Sequence, residues 1–131
     1  EMRSLDRMDL ENPKPKDPVT GYWLRLQEKI GDDNAQHARL LAYISDFAFL
    51  SSTLRPHALF PRSSALKTVA SVDHAMWFHS YDFRVDEWIY YKTEGYWSGE
   101  GRGLAKGALY SQDGQLLAST AQECLLRLKQ D

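Results

Sequence analysis

From Gly21 to Ile30 the chain alternates, with Tyr22, Leu24 and Leu26 interleaving Trp23, Arg25 and Gln27. A period of two is that of a strand with one buried face, so a first strand is expected there, closed by a turn at Gly31 to Asp33. The period then lengthens. From Ala35 to about Thr53 there is neither proline nor glycine, and Asp33 or Asn34 offers a side-chain oxygen to cap the free amides at the start. One helix of about four or five turns is predicted. Gln36, His37 and Arg39 make its first turn polar. Beyond them it is apolar nearly all round, which predicts an enclosed helix.

One residue interrupts that apolar run. Leu40 to Leu50 reads LLAYISDFAFL, with Asp46 in the middle. A carboxylate withdrawn from water is costly unless it is paired, hydrogen-bonded or protonated. Asp46 is therefore the first candidate for chemistry or for a buried polar network.

Pro56 and Pro61 break the chain into a loop, and four strand-like stretches follow: Lys67 to His79, Glu87 to Trp97, Arg102 to Ser111 and Gln115 to Lys129. Asp113-Gly114 joins the last two as a hairpin, because both residues tolerate positive φ. Residues 1–18 are charged and end in NPKPKDP, whose prolines remove backbone donors, so they are expected to be a linker or arm. The folded domain then runs over residues 19–131. One early strand, one helix and four later antiparallel strands predict an α+β domain, in which a curved sheet of about five strands wraps a central helix. That is the hotdog architecture.

Composition excludes several classes of partner. The 131 residues suit one domain. Sixteen Lys plus Arg against eighteen Asp plus Glu leave a formal charge of −2 with no basic block, so no nucleic acid is expected to bind. The single cysteine, Cys124, cannot pair within the chain, which favours an intracellular, reducing compartment. The longest apolar stretch, the one holding Asp46, is about half the roughly 20 residues that cross a membrane. No membrane association is expected, and the chain is expected to be part of something longer.

Four separated blocks carry a resemblance to a known family. AYISDFAFL (42–50), SVDHAMWFH (71–79), GRGLAKGALYSQDG (101–114) and STAQE (119–123) resemble, in this order, the C-terminal hotdog domain of acyl-CoA thioesterase II. Members of that family carry two hotdog repeats, so the resemblance implies that this chain is the second. It implies hydrolysis of acyl-CoA, without a cofactor, by an acid, a hydroxyl and an amide. Residue by residue these are Asp46, Ser71 and Gln122. The family usually has Thr where Ser71 stands and Gly where Cys124 stands. The resemblance further implies pairing with the N-terminal repeat or with another copy, and a role in fatty acid metabolism. Localisation would be the peroxisomal matrix in a eukaryote and the cytoplasm in a bacterium.

The trio suits the chemistry. Thioester hydrolysis needs a water aimed at the carbonyl carbon and a group to take its proton. An aspartate can accept that proton, a hydroxyl can both donate and accept, and an amide can fix orientation. Two alternatives stand beside hydrolysis: a structural half that only assembles with its partner repeat, and an enoyl-CoA hydratase. The hydratase would use an Asp and His pair on the central helix, and His37 lies about two and a half turns before Asp46.

Other motifs read as structural. Asp73, His74 and His79 spell DHxxxxH, a spacing that matches no common metal-ligand pattern, so a hydrogen-bonded corner is expected and no metal. No histidine is brought to Cys124 by the sequence, so a nucleophilic pair is not expected. Gly99, Gly101 and Gly103 precede no helix and read as a strand connection rather than a phosphate cradle. Trp77, Phe78, Trp88, Tyr90, Tyr91, Tyr96 and Trp97 fall in the strands. One side should pack on the helix, leaving the other for a partner or an acyl tunnel.

Overall fold

The computed structural model describes residues 1–129. Among the described residues seven strands, β1 (Met2–Ser4), β2 (Val19–Leu24), β3 (Leu66–Ser71), β4 (Ala75–Phe78), β5 (Ile89–Gly99), β6 (Arg102–Ser111) and β7 (Leu116–Leu128), accompany two α-helices, α1 (Asn34–Ser45) and α2 (Ser51–Leu54), and a 3-10 turn at Arg55–His57. Every pairing is antiparallel, in the order β1-β2-β5-β6-β7-β3, and β4 also pairs with β7. The curled sheet cradles the helical segment, an α+β hotdog domain.

Alternation along the strands decides what the helical segment meets. Ile89, Tyr91 and Thr93 of β5, Ala105 and Leu109 of β6, and Thr120, Gln122 and Cys124 of β7 are all buried. Leu41 and Phe49 complete the core from the helical side, both at 0% exposure. Phe49 stacks on Tyr91 with ring centroids 5.6 Å apart. That approach requires glycine at position 107, where a Cβ would stand 2.4 Å from Thr120 Oγ1 and 2.6 Å from the Tyr91 ring.

Asp33 caps α1 as expected, its Oδ1 accepting the Ala35 amide at 2.9 Å. The predicted helix to Thr53, however, ends at Ser45. Ala48 takes a left-handed φ of 57°, turning the chain so that Phe49 drops into the core. Ser51, Ser52 and Thr53 each donate a side-chain hydrogen bond to the carbonyl three residues earlier, at 2.6, 3.0 and 2.8 Å. Such local bonds compete with a continuous helix. Nor is α1 enclosed. His37, Leu41 and Ser45 form its buried stripe, while Tyr43 is 71% exposed and, just beyond the helix, Phe47 is 56% exposed.

Three other expectations change. The first strand, expected from Gly21 to Ile30, runs over Val19–Leu24. Residues 2–4, within the stretch read as an arm, form β1 on β2, with Met2 opposite Leu24 and Ser4 opposite Tyr22. Farther along, Asp6 forms an ion pair with the buried Arg55. Three residues are too few for a periodic signal, and the prolines speak only for residues 13–18. The strand expected over residues 67–79 is split. β3 and β4 lie end to end on β7, and residues 72–74 form a corner between them.

Candidate active site

The corner at residues 72–74 is fastened to β7 by one backbone and one side-chain bond. The Val72 amide donates to the Glu123 carbonyl at 2.8 Å, and Asp73 Oδ1 accepts the Glu123 amide at 2.8 Å. Both bonds fall on the residue after Gln122. The end of β3 and the corner itself are thereby brought over Gln122, whose side chain is fully buried on the helix side of the sheet. From the opposite direction α1 stops at Ser45, so Asp46 sits at the helix end. Its amide donates to the Ile44 carbonyl, and its side chain reaches solvent.

The three residues singled out from the sequence meet at one nitrogen. Gln122 Nε2 donates to Asp46 Oδ1 at 2.8 Å and to Ser71 Oγ at 2.5 Å. An amide nitrogen carries two hydrogens, and both are used. Asp46 and Ser71 are solvent-exposed while the amide beneath them is not. One water can therefore touch carboxylate and hydroxyl together, and Ser71 keeps its own hydrogen free to donate.

Sequence reasoning missed a fourth member. His74 Nδ1 donates to Gln122 Oε1 at 2.5 Å, and His74 Nε2 lies 2.8 Å from Ser45 Oγ. Residues 71 and 74 cannot share a face of an unbroken strand, because side chains alternate. The split between β3 and β4 removes that restriction. Below them Tyr91 donates its hydroxyl hydrogen to the Ser45 carbonyl at 2.7 Å and accepts from Thr120 Oγ1 at 3.0 Å. Burial pushes the Tyr91 phenol well above its ordinary pKa, so it stays protonated at this helix end.

The remaining candidates are engaged elsewhere. His37 is buried near the start of α1, where its Nδ1 accepts the Val85 amide at 3.1 Å and its Nε2 donates to the Gly31 carbonyl at 3.0 Å. It fastens loops and stands at the far end of the helix from Asp46. Asp73 and His79 turn to separate partners, the Glu123 amide and Ser119 Oγ. Glu100 and Gly101, both at positive φ, form the turn between β5 and β6. Cys124 is buried opposite Gly103, its thiol 3.5 Å from the Gly103 carbonyl, and burial raises its pKa. The lack of a side chain at Gly103 makes room for the sulfur, where a Cβ would approach it to 3.0 Å.

Between the end of α1 and strands β1 and β2 lies an apolar groove of about 210 Å³, lined by Met2, Leu24, Leu26, Tyr43, Ile44 and Phe47 among others. Among the described residues no helix is long and apolar enough to cross a membrane.

A single helical segment in a curled sheet, with a carboxylate, a hydroxyl and an amide converging at the helix end, marks a hotdog domain with a polar site at its surface. More narrowly, the chain belongs to the acyl-CoA thioesterase C-terminal domain family, whose profile matches residues 1–126. Human acyl-coenzyme A thioesterase 8 is 38% identical over 130 residues, 98% of this chain and 40% of that protein. Acyl-CoA thioesterase 2 of Haemophilus influenzae is 43% identical over 124 residues, 92% of this chain and 43% of that protein. The crystal structure of an acyl-CoA thioesterase II from Mycobacterium marinum superposes with a TM-score of 0.82 at 37% identity, covering 98% of this chain and 49% of the other. The chain thus spans less than half the length of these relatives.

Proposed function

We propose that this domain hydrolyses acyl-CoA thioesters to a free fatty acid and CoA, with Asp46 and Ser71 holding and activating the water and Gln122 holding those two side chains in position. Asp46 accepts a proton from the water as its oxygen bonds to the thioester carbon. Ser71 donates a hydrogen bond to that same oxygen, which leaves a lone pair aimed at the substrate. The C–S bond then breaks and the sulfur leaves with the proton that Asp46 had taken from the water, which restores the carboxylate with no covalent enzyme intermediate. The observation that carries this reading is the convergence of Asp46 Oδ1 and Ser71 Oγ on one Gln122 nitrogen. The three relatives named above, all acyl-CoA thioesterases, support the substrate class. Release of CoA thiol by the full-length protein from acyl-CoA of graded chain length tests it. Absence of release at every length overturns it.

Assembly belongs to the same proposal. Tyr43 and Phe47 flank Asp46 and are exposed at 71% and 56%. Large aromatic side chains in contact, here with centroids 6.3 Å apart, are typical of a covered interface. A preceding repeat of the same fold, or a second copy, covers this face and completes the acyl site. Sedimentation of this domain alone should show self-association; a monomer at high concentration argues against it.

A further inference from the structure

We propose that His74 is a positioning residue of this site. It holds the Gln122 amide in the one orientation that serves Asp46 and Ser71 together, and it ties that amide to the end of α1 through Ser45. The inference rests on the hydrolytic reading and extends it to a residue outside the trio.

A side-chain amide can sit in either of two orientations related by a half-turn, and their hydrogen-bonding patterns are opposite. In the observed orientation Nε2 supplies both of its hydrogens, to Asp46 and to Ser71, and Oε1 accepts from His74 Nδ1. After a half-turn Oε1 would face the Asp46 carboxylate, acceptor against acceptor, and Nε2 would face the Nδ1 hydrogen, donor against donor. His74 and Asp46 therefore select the same orientation from opposite ends of the group. Gln122 is fully buried beneath the exposed His74 ring, so an apolar ring at position 74 takes the donor from Gln122 Oε1 while still covering it.

His74 is itself held. Its ring stands edge-on to Phe49, with centroids 5.8 Å apart and planes at 82°. Its second nitrogen is 2.8 Å from Ser45 Oγ, which also lies 2.7 Å from the Ala42 carbonyl. Ser45 has one hydroxyl hydrogen for two neighbours. Given to Nε2, it pairs with a neutral imidazole; given to Ala42, it pairs with an imidazolium. In both cases Nδ1 carries a hydrogen because the Gln122 Oε1 that it faces can only accept. Because both ring nitrogens are engaged within the protein, His74 has no free nitrogen to take the water's proton. The Tyr91 hydroxyl holds the Ser45 carbonyl from the other side, so Ser45 is gripped twice directly before Asp46.

Removal of His74 should therefore slow the chemical step and leave substrate binding unchanged. In the full-length protein, His74→Phe keeps a ring against Phe49 without a donor. His74→Asn places an amide N–H close to the position of Nδ1. The expected result is a kcat lower by roughly tenfold to a hundredfold in His74→Phe with KM unchanged, most of it recovered in His74→Asn. The Gln122 side-chain amide resonances should shift in His74→Phe and return in His74→Asn. Gln122→Leu is the control for the hydrolytic reading. Wild-type turnover in Gln122→Leu overturns that reading and the inference with it. Wild-type turnover in His74→Phe beside an inactive Gln122→Leu overturns the inference alone. If His74→Phe does not fold, His74→Gln takes its place, since its longer amide reaches the position of Nε2. Equal rates in His74→Gln and His74→Asn then contradict the role given to Nδ1.

Discussion

Gln122 Nε2 and Asp46 Oδ1 lie 2.8 Å apart across 76 positions of sequence, one at the middle of a strand and the other at the end of a helix. The contact exists because α1 stops where it does. Had the helix run on to Thr53, Asp46 would lie on a helical surface and not at a helix end. The left-handed turn at Ala48 and the burial of Phe49 fix the end, and the amide below it meets the carboxylate.

The Ser71 hydroxyl is the feature that matters at its position. Ser71→Thr should keep turnover close to wild type, because the added methyl restricts the rotamer without removing the group. Ser71→Ala should lower kcat on the order of a hundredfold. Steady-state assays of the two variants decide it, and equal rates in both would assign Ser71 no part in the reaction.

Close packing between Phe49 and the sheet makes a prediction about stability. Gly107→Ala inserts a methyl where Thr120, Tyr91 and Phe49 already crowd, at 2.4, 2.6 and 3.0 Å. A loss of about 1–3 kcal/mol is expected in urea denaturation. Activity should fall with it, since Phe49 is the surface on which His74 rests. An unchanged denaturation midpoint would show that the sheet can give way there.

The start of α1 carries an acid-sensitive clip. Arg84 donates to both carboxylate oxygens of the buried Asp86 at 3.0 Å, donates to the Ile30 carbonyl at 2.8 Å, and is also paired with Asp32. Hydrogen bonds from Arg84 hold the Asp86 carboxyl well below the usual carboxylate range. Its folded pKa lies below the unfolded value of about 3.9, so its contribution is complete above that value and is lost as pH falls further. Thermal melts from about pH 7 to about pH 2.5 should show a shallower acid decline for Asp86→Asn than for the wild type. Parallel declines would place the acid sensitivity elsewhere.

Much of the fold was legible because alternation is a strong signal. The strand predicted at Arg102 to Ser111 is the strand observed, and those around it differ by a few residues at their ends. Asp113-Gly114 forms the expected hairpin, with Gly114 at φ 90°. The Asp46, Ser71 and Gln122 trio came from the resemblance, since a lone serine or glutamine in a strand carries no distinguishing pattern. The DHxxxxH motif pointed to a hydrogen-bonded corner, and residues 72–74 form one. The bond from His74 to Gln122 was not legible, because it depends on where that corner falls along β7. The SST run at 51–53 was the sign that the helix would not continue, because these hydroxyls compete for helical carbonyls.

Hydrolysis at this site depends above all on Asp46. Asn at this position keeps an oxygen to accept from Gln122 and, being exposed, should leave the melting temperature unchanged. It cannot take a proton from water. In the full-length protein Asp46→Asn should reduce the rate of CoA thiol release by about a thousandfold with KM little changed. A folded Asp46→Asn protein that turns over acyl-CoA at the wild-type rate would contradict the assignment of Asp46 as the base.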